Sequence, residues 1–341
     1  MTSARVSAVG QWSRDVWRSW DRFLFSSSDP APLGLIRIFA GAMLLYTHFV
    51  WTLELDAFFG ANAWLSEDFV YRYHDSVFGW SHLYWVTNST TLWTVHVLAL
   101  GVFACLLIGF QTRVASILAF LLTVSYAHRA AGALFGLDQI NGFLALYLAV
   151  GPSGDAFSVD QWLRKRRGQK AKGPSVAANV AIRLIQLHLC IVYMFAGFGK
   201  LLGESWWDGT ALWGAFANQE YQTLDMTWLA SSLLLVNLMT HVTLFWEVSY
   251  CGLIWHRHTR PIMLVLAIPL HMGIALCMGM VTFGLVMLIA NLAFVSPELV
   301  RKYTGWLEPQ TQRRETAIPS QAKPHSSRRK AKKTANESKP L

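Results

Sequence analysis

Charge is what this sequence has least of. Only 14% of its 341 residues are Asp, Glu, Lys or Arg, where soluble domains carry roughly 25%. Apolar residues fill the gap at 53% of the chain, with 16 Trp and 20 Phe. That balance excludes an ordinary soluble domain. Cysteine is scarce too: Cys105, Cys190, Cys251 and Cys277 each sit inside an apolar run, none at a paired spacing. This excludes a disulfide framework and a thiolate metal site. His256 and His258 are two residues apart on a polar turn, and no apolar run holds His or carboxylates at metal-ligand spacing, so no metal is expected. There is no Gly-x-Ser-x-Gly elbow and no phosphate-binding glycine loop before a helix, which removes the hydrolases and nucleotide enzymes those motifs mark.

What is present is a series of apolar runs, most of them about 20 residues long, enough to cross roughly 30 Å of hydrocarbon as helix. They cover 34–54, 91–110, 113–135, 139–151, 176–202, 229–255, 261–278 and 281–296. The expected fold is all-α: a polytopic membrane protein with about eight transmembrane helices, multi-pass in the cell membrane. Ahead of the first run, Trp12, Val16, Trp20 and Phe23 recur at helical spacing, with Arg14, Arg18 and Arg22 on the other side. Residues 1–28 therefore read as a cytoplasmic amphipathic interfacial helix, 29–300 as the transmembrane domain and 301–341 as a basic disordered cytoplasmic tail. From Arg313 onward nine lysines and arginines face two glutamates, so most of the formal net charge of +9 belongs to that tail. Membrane lipids are its expected partners, and no specific nucleic acid is implied.

Lysine and arginine are also distributed by loop. Segment 203–227 has none and 55–89 has only Arg72, whereas the N-terminal helix, the Arg113 turn, the 164–172 loop, the 256–260 turn and the tail are all basic. With eight spans the basic segments fall on one side, which gives cytoplasmic N- and C-termini by the positive-inside rule.

Ionisable residues at membrane depth are costly and so are the first functional candidates. Arg37 and Arg183 lie near the cytoplasmic ends of their spans and read as snorkelling to lipid phosphate. His128, Arg129 and Asp138 fall toward the far side, as do Tyr193, Lys200, His241 and Glu247, with His271 near the middle of its span. These side chains either converge on an exterior-facing pocket or act as polar glue between helices, for instance as an Arg129–Asp138 pair and a His–Glu pair. Lys200 follows small residues at Ala196, Gly197 and Gly199, which allow close helix approach beneath it. It stands at the end where basic residues are otherwise nearly missing. It either snorkels or is shielded in a pocket and available as a base. Trp206 and Trp207 fit an interface anchor or a pocket wall.

Four motifs in order carry a resemblance. They are Asp29-Pro30 with Leu33, Arg37 and Gly41; Pro152 with Ser158 and Asp160; Ala196-Gly197 with Lys200, Trp207 and Gly209; and His271 with Gly279, Met280 and Phe283. Over about residues 29–297 the chain resembles the HTTM family, the membrane domain shared with vitamin K-dependent gamma-carboxylase. The resemblance implies Lys200 as the base that deprotonates reduced vitamin K or a related quinone, with His271 beside it at the catalytic centre. It also implies a gamma-glutamyl carboxylase-like lyase or oxidoreductase activity, with epoxidation coupled to carboxylation of a secreted peptide or protein substrate. A different reading of the same chain is a non-catalytic membrane helper for peptide maturation or export, using the aromatic loops 55–89 and 203–227 as its contact surface.

Overall fold

The computed structural model describes residues 2–73 and 79–304, with side chains from Gln11 onward; the tail expected beyond Thr304 lies outside them. The described residues are helical and contain no strand, only an isolated bridge between Ser28 and Ser175. Helix α1 runs Thr2–Phe25, α2 Ala31–Trp51, α3 Ser89–Ile108, α4 Thr112–Arg129 and α5 Gly136–Val150. Then come α6 Val176–Lys200, α7 Leu233–Leu253, α8 Arg260–Cys277, α9 Val281–Asn291 and α10 Pro297–Thr304. The compact helical unit ends at Val300.

Local chemistry sets these ends. Asn88 and Ser175 accept from the backbone amides of Thr91 and Ala178, capping α3 and α6. Gly109 closes α3 with φ +73°, a left-handed geometry that favours glycine. Asp160 receives the amides of Gln111 and Thr112 and the Thr112 hydroxyl, at 2.7–2.9 Å, and so caps α4 from a distant segment.

Helix α2 stands between two cores. Leu33, Ile36, Ala40 and Met43 pack with α5 to α9, whereas Leu44 belongs to the cluster of α3 and α4 around Phe103, Leu106 and Ala119. A Cβ on Gly41 would lie 2.8 Å from the Leu107 Cα, so α2 and α3 touch through backbone. Gly41→Ala is therefore expected to lower the thermal stability of the detergent-solubilised protein by about 1–3 kcal/mol. Gly101→Ala on α3, with nothing within 4 Å of its Cβ position, is the control and should be neutral or slightly stabilising.

Among the described residues, five helical segments are long and apolar enough to cross a membrane: Ala31–Phe59, Ser89–Ile108, Val176–Lys200, Leu233–Leu253 and Arg260–Cys277. The number is six if Val281–Phe294 and the helix after it form one broken span. Among the expected spans, α5 and α9 are shorter, 15 and 11 residues, and α4 carries Arg113, Ser125, His128 and Arg129 among its apolar residues. Both short helices are packed inside the bundle, with Leu144, Leu148, Val286 and Met287 buried.

Arg37 does not snorkel. It is fully buried, and its Nη1 donates to the Leu106 and Leu107 carbonyls at 2.8 and 2.9 Å while Nη2 donates to Phe157 at 2.6 Å. The last carbonyls of α3 end inside protein; the Gly109 amide reaches the Leu106 carbonyl at 3.2 Å, and the guanidinium supplies a further donor there and one to Leu107. Arg183 is also turned inward: its Nε reaches the Phe23 carbonyl at the end of α1 and its Nη1 the Gln186 side chain.

Candidate functional site

Tyr193 and Lys200 are seven residues apart on α6, two helical turns, and so share one face. That face meets α7 where Gly197 lies against Val248; a Cβ there would come 3.0 Å from the Val248 amide nitrogen. The close approach brings Lys200 Nζ to 2.7 Å from Glu247 Oε2, an ion pair whose side chains are 25% and 14% exposed. The Trp206 ring, on the short helix Glu204–Trp207, covers the ammonium at 5.2 Å. Lys200 is thus shielded and paired across two helices. Pairing within the protein is the usual condition for a charge at such a position.

One layer deeper a neutral polar network joins four helices. Tyr250 donates to Asn291 Oδ1 at 2.7 Å; Asn291 Nδ2 donates to Tyr193 Oη at 3.0 Å and to the Met287 carbonyl at 2.9 Å; Tyr193 Oη lies 2.6 Å from His271 Nε2. The two tyrosines, the amide and a neutral imidazole carry five donors, and these contacts use four. His271 is 4% exposed and its Nδ1 has no partner. If Tyr193 donates to Nε2, the unused donor is His271 Nδ1–H; if the imidazole donates, it is the Tyr193 hydroxyl. The network therefore has a buried donor to spare. Asn291→Leu is expected to strand the Tyr250 hydroxyl and cost roughly 1–3 kcal/mol, read as a lowered thermal midpoint, with Tyr250→Phe in the same background recovering part of it.

The remaining expected site residues lie elsewhere. His128 Nδ1 contacts the backbone nitrogen and oxygen of Trp80. Buried Arg129 donates to the Leu65 carbonyl at 2.9 Å, and Asp138 accepts the Phe135 amide at the start of α5, so no Arg129–Asp138 ion pair forms. Glu247 pairs with the lysine and not with a histidine. His241 is exposed and bridges the backbone of Asn237 and Trp207. Trp207 is 64% exposed with its Nε1 on the Leu201 carbonyl, the placement of an anchor rather than a wall. Gly209, at φ +83°, lets Asn237 Nδ2 reach its carbonyl at 2.9 Å and fixes this turn against α7.

Sequence reasoning missed Asn291 and Tyr250, which lie in apolar runs and look like ordinary span residues. It also missed a second buried polar cluster, His96 with Thr52 and Tyr126, beside His48. The only available signal was their polarity within apolar stretches. Among the described residues no group of three or more His, Cys, Asp or Glu side chains is placed to hold a metal.

Comparison with known proteins gives three findings. The family model of the HTTM domain matches residues 25–299. Sporulation-delaying protein SdpB of Bacillus subtilis (strain 168) is 24% identical over 155 residues, 44% of this chain and 48% of that protein. The chain thus spans about half the length of this curated relative. No solved structure matches. Since the family model covers most of the helical body, with the Lys200 pair and the His271 network inside it, the chain is a membrane protein that belongs to the HTTM domain family.

Proposed function

We propose that the protein binds a lipophilic ligand with an acidic hydroxyl, a reduced quinone, at Lys200 and Glu247, and that this pair handles the hydroxyl proton. The observation that carries the reading is the shielded 2.7 Å contact between Lys200 Nζ and Glu247 Oε2. The pair has zero net charge whichever partner holds the proton. An apolar molecule can therefore settle on it without burying a net charge. With the proton on Nζ, Lys200 offers further donors beyond the one facing Glu247, and the second carboxylate oxygen of Glu247 can accept the ligand's hydroxyl proton. Trp206 covers one side of the amine, and the spare donor of the Tyr193–His271 pair lies in the neighbouring layer. These groups fit a reduced quinone, which when bound supplies an acidic hydroxyl and two electrons.

In this reading eight helices cross the cell membrane, with α4, α5 and α9 as spans supported by protein neighbours and both termini cytoplasmic, as the loop charges favour. Lys200 then faces the exterior side. A carboxylase-like reaction on a secreted peptide is the further step that the family suggests.

The test is equilibrium binding in lipid nanodiscs, without oxygen, of a naphthohydroquinone and its dimethyl ether. Wild type should prefer the free hydroquinone by about tenfold, roughly one good polar contact, and Lys200→Met should lose the preference. Equal binding of both probes to wild type would contradict the proposal, and together with a co-purifying secreted peptide would favour the helper reading.

A further inference from the structure

Away from the lysine site, where α1 packs on the first turns of α6, two guanidinium groups flank one pair of aromatic rings. Arg183 lies over the Phe23 ring at 4.2 Å. Arg260, the first residue of α8, donates from Nε to the Ile254 carbonyl and from Nη2 to the Trp255 carbonyl, at 3.1 and 3.0 Å. The Phe23 and Trp255 rings are in edge contact, centroids 5.4 Å apart, so both guanidiniums flank one aromatic pair, and among the described residues neither forms an ion pair.

Beside them is an open cleft of about 610 Å³ walled by Trp12, Val16, Trp20, Phe23, Leu187 and Trp255. Its polar lining is Asp15 and Ser19, and Asp15 faces Arg18 at 3.9 Å. The cleft and the cations are continuous. Phe23 lies under Arg183 and lines the cleft, and Trp255 lines it while its carbonyl holds Arg260. Leu187 is one turn beyond Arg183 on α6, so the walls run along the helix away from the charges.

Two unpaired cations at the mouth of an apolar cleft call for one molecule with an anionic head and a hydrocarbon chain. We propose that this is a binding site for an anionic glycerophospholipid, its phosphate between Arg183 and Arg260 and one acyl chain along Trp20, Leu187 and Trp255. Bound there, the lipid fastens α1 to α6 and to the α7–α8 turn, adding to the Asn179 hydrogen bonds that hold the Phe23 and Leu24 carbonyls.

Native mass spectrometry of the delipidated full chain, re-supplied with phosphatidylglycerol or phosphatidylcholine of identical chains, tests this. Wild type should retain phosphatidylglycerol about tenfold better, and Arg183→Gln with Arg260→Gln should remove that preference. Arg257→Gln, at an exposed neighbour, should not. Arg183 also holds α1, so a second variant is needed: Leu187→Trp fills the cleft, leaves both guanidiniums, and should reduce lipid retention while the fold persists. Equal retention of the two lipids by wild type, undiminished retention in Leu187→Trp, or displacement of the lipid by millimolar inorganic phosphate would overturn the proposal.

Discussion

Arg37→Met is expected to leave several-fold less folded protein in the membrane fraction. The substitution keeps the length and the apolar stem but removes the donors to the Leu106, Leu107 and Phe157 carbonyls. The Leu106 carbonyl keeps the Gly109 amide at 3.2 Å, but each buried acceptor that loses a donor costs about 1–3 kcal/mol, a large share of the roughly 5–15 kcal/mol that separates a folded domain from its unfolded state. No water can replace the guanidinium cheaply. The site is closed by Gly109, whose Cβ position lies 2.4 Å from Arg37 Nη1, and by Ser158 beside it. Arg37→Lys should fall between the two, since an ammonium is a point donor and cannot span carbonyls on two segments as the planar fork does. Fluorescence-detected size exclusion of tagged variants reads the result. A Met variant as abundant and monodisperse as wild type would show that the carbonyls have another partner.

The second large effect separates the structural from the chemical role of the lysine pair. Lys200→Met alone leaves the Glu247 carboxylate buried without its cation, at a cost of about 3–5 kcal/mol if the charge persists. Lys200→Met with Glu247→Leu removes both charges and should regain most of that loss, so the double variant is more stable than the single one. A purely structural pair would then be dispensable. A ligand-handling pair would not: the double variant should fold, insert and still lose the hydroquinone preference. Thermal midpoints in detergent together with the binding comparison make the distinction, and a double variant with full preference would place the recognition on other residues.

Much of this was legible in the sequence, for identifiable reasons. The helices came from apolar runs, and Lys200 stood out because Gly197 and Gly199 precede it and few other cations share its end of the bundle. Its pairing with Glu247 was not legible. Hydropathy gives a residue its depth but not its direction around the helix axis, and the register of α6 against α7 is set by the Gly197–Val248 contact. The same limit grouped His128, Arg129 and Asp138 with the lysine because they share its depth, although they fasten α4 and α5 to nearby backbone. Arg37 was read as snorkelling because its position near a span end is visible, while the carbonyls it serves, 69 to 120 residues away, are not. Asn291 and Tyr250 gave no periodic signal at all; their roles exist only once α6, α7, α8 and α9 converge. The short α5 and α9 fall below the length of a span, and neighbouring helices cover much of their surface.

The central claim is that the Lys200–Glu247 pair is a ligand site, and native mass spectrometry of protein purified gently from its own membranes tests it most directly. A co-purifying redox-active lipid quinone, retained by wild type and lost from the folded Lys200→Met, Glu247→Leu variant, is the predicted result. Wild type that repeatedly carries no such ligand, or a double variant that carries as much as wild type, would contradict it.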